Sequence, residues 1–423
     1  MTVAVTLPSR AEAVNIQEVT SPGGITAWLV EDYTVPIVTM NLAFRGGAAQ
    51  DGDDKAGLAN LMSGLLDEGA GDLDSRAFQT RLEDFNIDLS FDAGRDAFYG
   101  NMRTLTTNLD EAIGLMRLAL TEPRFDEEAV TRIRGQVVSN LRRGETDPNE
   151  IASRTFMRTL YGEHPYGRPT EGTLQTVSAL GADDLREFHR RIMARDNLLV
   201  VVVGAIDRAR LAAALDEVFG RLPEKADLVP IPEVTARSGV TDHATLGVPQ
   251  TVIRLGGPGI KRDDPDFIPA FVANHILGGG TFSSRFYKEI REKRGLSYSV
   301  GTSLLAFDHS GAWIGAAATR ADMAQTAVDL MVAETKRFAE EGPTERELTE
   351  AKDFLVGNYA LRFDASQKIA RQLLGIQLDR LGIDYVERRN DLIRAVTAED
   401  VQRAAQRVFG QAPSVVTVGT AQS

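Results

Sequence analysis

In the stretch SSRFYKEIREKRGLSYSV, residues 283–300, Arg291 and Tyr298 flank a turn at Gly295. A guanidinium is permanently charged and carries its donors in a fixed fork, and a phenol hydroxyl stays protonated near neutral pH. Donors of this kind can hold a carbonyl oxygen or stabilise a developing oxyanion. Spacing alone leaves the pair open, because an Arg near a helix end also sits in solvent or meets the carbonyls of its own last turn. Just upstream, Gly278, Gly279 and Gly280 end a helical pattern carried by Ile268, Phe271, Val272, His275 and Ile276. Three glycines there read as a helix C-cap in the left-handed region or as a loop that lets a ligand approach the backbone.

Other catalytic chemistries find no support. The sequence has no cysteine, which removes thiol nucleophiles, thiolate metal sites and disulfides. Its five histidines, His164, His189, His243, His275 and His309, are far apart, and none lies one helical turn from another as a metal pair on a helix requires. His275 falls on the buried stripe and reads as a core histidine. There is no G-x-S-x-G elbow, no phosphate-cradling G-x-x-x-x-G-K-[ST], and no G-x-G-x-x-G after a strand.

The elements that must position Arg291 and Tyr298 belong to a duplicated chain. ADDLREFHRRIMARDNLLVVVVGAID from Ala182 corresponds to AEDVQRAAQRVFGQAPSVVTVGTA from Ala398, each a capped amphipathic helix followed by an apolar strand. The long helical regions opening at Phe125 and Pro343 correspond at nearly the same interval. The join falls in the proline-interrupted stretch Pro223 to Val240, which gives an N-terminal half over 1–226, a linker over 227–239 and a C-terminal half over 240–423. In the first half, strands are predicted near 25–32, 38–46, 88–94 and 96–105, with helices near 55–69, 74–86, 108–121 and 126–160. Runs of strands followed by runs of helices indicate an α+β fold, each half a mainly antiparallel sheet covered by helices. A short helix from Phe282 buries Phe282, Phe286, Tyr287 and Ile290, and a following strand carries Tyr298, Val300, Thr302 and Leu304 on one face.

The segment RGGAAQDGDDKAGLANLMSG, residues 45–64, leads into a helix whose Leu58, Leu61, Met62, Leu65 and Leu66 form one buried stripe, with Asn60, Ser63, Gly64 and Asp67 opposite. With this approach, and with the later SSRFYKEIREKRGLSYSV, the chain resembles the pitrilysin, insulin-degrading enzyme and mitochondrial processing peptidase family of zinc peptidases along essentially its whole length. In that family the first segment carries H-x-x-E-H, two zinc ligands around a general base. Here Asn60, Ser63 and Gly64 stand at those places, and Val137-Val138 is followed by Ser139-Asn140 where the family's third ligand, a glutamate, is expected.

The resemblance assigns Arg291 and Tyr298 to substrate backbone binding and oxyanion stabilisation, and Gly278, Gly279 and Gly280 to a substrate-contacting loop. It also makes His164, in GEHPYG, part of a structural turn. It implies a chain without its own zinc that works as one subunit of a heteromeric zinc peptidase, completed by a related chain bearing H-x-x-E-H and the zinc. The substrates implied are peptides or unfolded chains, bound by strand addition to a sheet edge for which DLSFDAGRDAFYGN is the candidate. The alternative is an inactive structural or assembly protein of the same fold.

Composition agrees with a globular chain of two units. Of 423 residues, 43% are hydrophobic and 25% charged, and 60 acids against 47 bases give a formal charge of −13. That balance argues against nucleic acid or anionic membrane as a partner. The longest apolar run, Leu198 to Ile206, is far shorter than a membrane span and reads as a buried strand. The opening MTVAVTLPSR shows no signal peptide; a periplasmic location, with a leader removed, is nevertheless the expectation drawn from exported bacterial relatives in the family, with the cytoplasm as the alternative if this N-terminus is native.

Overall fold

The computed structural model describes residues 14–420. Two sheets organise the chain. The first has six strands in the order Gln17–Thr20, Thr26–Glu31, Leu198–Gly204, Ile37–Arg45, Ala97–Leu105, Asp88–Ala93. The second has five, in the order Val300–Phe307, Ser310–Arg320, Gln250–Pro258, Ser414–Gly419, Thr241–Thr245. Both are antiparallel except for one parallel pair each, Thr26–Glu31 with Leu198–Gly204 and Ser414–Gly419 with Thr241–Thr245. The same exception in both sheets is the structural counterpart of the sequence repeat.

The four predicted strands of the first half lie within a residue or two of expectation. Alternation explains their faces: in Ile37–Arg45, Val38, Met40, Leu42 and Phe44 enter a core with the helices Leu109–Thr121 and Arg208–Phe219. Helix Arg208–Phe219, not anticipated, starts at Asp207, whose carboxylate accepts from the Arg210 backbone N–H at 2.8 Å.

Helices were read too long in two places. The 126–160 region is two helices, Glu127–Gly144 and Pro148–Tyr161. Asp147 accepts from the N–H groups of Asn149 and Glu150, and Pro148 fills the first helical position, so the sequence caps a new helix there. The expected 55–69 helix is regular only over Leu58–Ser63. Gly57 takes φ +95°, outside a right-handed helix, and the buried Asp51 carboxylate caps the start by accepting from Gly57, Leu58 and Ala59. All five stripe residues are buried nonetheless.

The second layer of each sheet is exchanged. Helix Pro148–Tyr161 packs through Ala152, Phe156 and Leu160 on the C-terminal sheet, against Val252, Val418, Ala312 and Val416. Its counterpart Ser366–Leu378 packs through Ile369, Ala370, Leu373 and Leu374 on the N-terminal sheet, against Trp28, Val30, Val201 and Val203. Each sheet is thus closed on one face by a helix from the opposite half of the sequence. A second bridge involves the HPYG turn: the Tyr166 hydroxyl donates to Asp96 at 2.6 Å and accepts from the His309 N–H, while Asp96 accepts from the Asp308 N–H at 3.0 Å. His164 accepts from the Tyr166 N–H and its other ring nitrogen donates to the Pro232 carbonyl, which is a structural role.

Candidate functional site

Asn60 and Asn140 come from helices Leu58–Ser63 and Glu127–Gly144 and meet on the wall of one cavity of about 470 Å³, with Glu150, Arg154 and Glu171. Of the degenerate positions, Asn60 and Asn140 thus share one cavity wall. Their chemistry does not suit a divalent ion. Ser63 is buried and donates to the Asn60 carbonyl at 2.8 Å, and the Asn140 amide oxygen is taken by Arg143 of its own helix. Gly64 has no side chain, and an added Cβ would lie 3.2 Å from Ile133. Zinc needs imidazole, thiolate or carboxylate donors, and among the described residues no three His, Asp or Glu side chains converge as a metal site. The family's zinc does not fit here, and what remains of the site is a capped helix. Burial raises the Asp51 carboxyl to about 7 despite its three N–H donors.

Arg291 and Tyr298 are brought together. The Arg291 guanidinium carbon sits 4.4 Å from the Tyr298 ring centroid and 4.9 Å from that of Tyr287, so it lies between two aromatic faces. Its own element is a wide, π-helical turn, Tyr287–Glu292, of the kind frequent at functional sites. No carboxylate among the described residues pairs with Arg291, although its neighbours are saturated: Lys293 and Arg294 both hold Glu289. Tyr298 is 83% exposed. It does not lie on the strand as expected, because pairing with Ser310–Arg320 begins only at Val300. Phe286 and Ile290 are buried as expected, but Phe282 is 69% exposed and stacks edge-on against Tyr287. The outcome is an exposed aromatic patch around a cation whose donors are free.

The three glycines have a different explanation from a left-handed cap. Gly278 and Gly279 belong to a second π-helical turn, His275–Gly279, and Gly280 has φ −83°; the residue with positive φ is Thr281, at +45°. Gly278 is required by close approach, since a Cβ there would lie 2.7 Å from the Thr302 backbone nitrogen on the adjacent strand. His275 is buried and stacks at 5.1 Å on Phe354, and burial pushes its pKa down.

Sequence reasoning missed Arg285. Its guanidinium is buried over the Phe338 ring, holds Glu347 through two 2.8 Å bonds and donates to the Gly342 carbonyl, and it fixes the start of the turn that carries Arg291. The available signal was an arginine directly before Phe286 on the predicted buried face.

Two family descriptions match the chain in order: insulinase (peptidase family M16) over residues 27–174 and peptidase M16 inactive domain over residues 179–355. A crystal structure of a peptidase M16 inactive domain from Pseudomonas fluorescens superposes with a TM-score of 0.91 at 27% identity, covering 97% of this chain and 98% of that one. An uncharacterized zinc protease of Streptomyces coelicolor is 26% identical over 96% of this chain and 89% of its own length. The non-peptidase homolog YmxG of Helicobacter pylori is 28% identical over 84% of this chain and 82% of its own. These matches span both halves and both segments described above, and the chain belongs to peptidase family M16.

Proposed function

We propose that this chain is the non-metal subunit of a two-chain peptidase, in which a related chain carries H-x-x-E-H, the zinc and the general base. The observation that carries the reading is the unpaired Arg291, held between Tyr287 and Tyr298 in an exposed patch while the chain's own metal-site positions are filled by Asn60, Ser63, Gly64 and Asn140. A structural relic would gain little from an exposed guanidinium without a carboxylate. A substrate donor needs that freedom, because donors already bonded to the protein cannot hold a peptide carbonyl or an oxyanion. In this reading Arg291 and Tyr298 bind the peptide backbone and stabilise the transition state, and the Gly278–Gly280 segment contacts substrate beside them.

Peptides or unfolded chains are the proposed substrates. Strand Asp88–Ala93 ends its sheet, pairing among the described residues only with Ala97–Leu105, which leaves its outer edge for an added strand. The test is co-expression with an M16 relative from the same genome that retains H-x-x-E-H. The pair is expected to co-purify and to hydrolyse unfolded peptides, with neither chain active alone. A partner equally active without this chain would overturn the proposal and leave an assembly role.

A further inference from the structure

A second cavity, of about 490 Å³, lies in the C-terminal half between helix Phe267–Asn274, strand Val300–Phe307 and the helices Ser366–Leu378 and Tyr385–Ala395. That volume is in the range of small-molecule sites. Its apolar walls are Phe267, Ile268, Phe271, Leu304 and Ile376, and Gly279 and Thr302 line one side.

Three guanidiniums line the same space with a single carboxylate. Arg262 is satisfied: it bonds Asp379 at 3.1 Å and the Tyr385 hydroxyl at 2.7 Å. Arg389 is not. It is 6% exposed, lies 4.1 Å from the Tyr359 ring centroid, and uses one nitrogen, Nη1, for the Leu355 carbonyl and Asn390; no carboxylate among the described residues pairs with it. Burial pushes its pKa down, opposed in part by Tyr359 and Tyr385. Arg262 and Arg362 line the same cavity. Arg362, exposed at the mouth, has only a 3.4 Å contact to Gln372. A buried guanidinium that shares a cavity with two others and has no anion is costly unless an anion is supplied.

A fourth group points to the kind of anion. Asn274 is 7% exposed and lines the cavity; its Nδ2 lies a long 3.4 Å from the Thr302 carbonyl, and its Oδ1 is buried with no partner among the described residues. An unpaired acceptor calls for a ligand N–H. A ligand with an N–H, a carboxylate and an apolar group between them satisfies all three features.

We infer that this cavity binds the C-terminal carboxylate of a short peptide with an apolar last side chain, Arg389 and Arg362 holding the carboxylate and Asn274 accepting from a peptide N–H. The site includes neither Arg291 nor Tyr298, although Gly279 of the proposed substrate segment lines it, and it is titrated on this chain without a partner, so its test does not depend on the assembly proposed above.

The test is calorimetric titration of the full chain with N-acetyl-alanyl-leucine, with its C-terminal amide, and with inorganic phosphate. The free acid is expected to bind with a Kd near or below about 1 mM, and the amide about tenfold more weakly, the loss of a charge-assisted bond. Arg362→Ala, at an exposed position, is expected to weaken the acid while leaving the unfolding temperature unchanged. Arg389→Lys keeps the charge but loses the fork and is expected to weaken it further; if that variant does not fold, Arg362→Ala decides. Equal binding of acid and amide, no binding of the acid, or phosphate binding as tightly with the same dependence on Arg362 would each overturn the assignment, the last by showing a plain anion site.

Discussion

Arg285 and Glu347 form a two-point ion pair, with Nε to Oε1 and Nη2 to Oε2 both at 2.8 Å, between the turn that presents Arg291 and the cap of helix Glu345–Gly357. Glu347 also accepts from the Thr344 N–H and hydroxyl as the capping-box acid. Glu334 faces the same guanidinium at 3.7 Å. One arginine therefore faces two acids and joins three elements, Glu334 being paired more closely with Arg337.

The pair makes stability acid-sensitive. Although burial opposes ionisation, the bonds from Arg285 and the Thr344 backbone bring Glu347 down to about 2 from the ordinary 4.5. A depressed carboxylate contributes stability above its unfolded pKa and loses it as pH falls toward the folded value, here between about 4.5 and about 2. The shift corresponds to roughly 3 kcal/mol. Urea unfolding across that window is expected to show a loss that Glu347→Gln largely abolishes. Arg285→Ala, which leaves Glu347 part-buried without its cation while Glu334 keeps Arg337, is expected to cost about 3–5 kcal/mol at neutral pH. A pH profile unchanged in Glu347→Gln would refute the assignment.

Gly278→Ala tests close approach against conformational freedom. The added Cβ would meet Thr302 Oγ1 at 2.6 Å and its backbone nitrogen at 2.7 Å, and a strand backbone cannot retreat cheaply. A loss of about 1–3 kcal/mol in chemical unfolding is expected. Gly295→Ala is the contrast: it has open space but φ +60°, so its cost is the strain of the left-handed region alone, about 1 kcal/mol. Equal stability of Gly278→Ala and the parent chain would show that the segment yields.

These examples mark what the sequence could disclose. Strand faces follow from alternation over a few residues, so Ile37–Arg45 and Ala97–Leu105 were legible. Helix ends were less so: the stripe through Leu58 and Leu66 continues past Ser63 because turns also bury leucines, and the φ of Gly57 leaves no mark on periodicity. The exchange of Pro148–Tyr161 and Ser366–Leu378 between sheets is a long-range choice with no local signature. Asn60, Arg291 and Tyr298 were singled out because their sequence surroundings are distinctive. Arg285 was missed because its partner lies 62 residues downstream.

The purified chain is expected to bind no stoichiometric zinc. An amide, a hydroxyl and a hydrogen stand at Asn60, Ser63 and Gly64, and the Asn140 oxygen is already engaged by Arg143. Metal analysis after dialysis checks this, with about one zinc per chain surviving mild chelation as the contrary result. The informative reversal is the quadruple change Asn60→His, Ser63→Glu, Gly64→His and Asn140→Glu, which is expected to gain metal only if Ile133, 3.2 Å from a Cβ at Gly64, can move aside.

The last prediction separates catalysis from scaffolding. Tyr298→Phe removes one hydroxyl but keeps the ring on which Arg291 rests, so the orientation of the guanidinium should survive. At 83% exposure the hydroxyl contributes nothing to the core, and unfolding should be unchanged. If the hydroxyl donates to the oxyanion in the assembled enzyme, turnover falls roughly 10²–10³-fold, about 2.7–4 kcal/mol. Arg291→Ala is expected to raise KM as well as lower kcat, since a backbone donor also acts in the ground state. Tyr287→Leu is the control for presentation: it removes the second ring over Arg291 and should lower activity only partly, because Tyr298 still holds the cation. Kinetics are read on assemblies whose zinc content and size match the parent. Unchanged turnover in both Tyr298→Phe and Arg291→Ala would reduce the pair to an exposed stack of a cation on a ring.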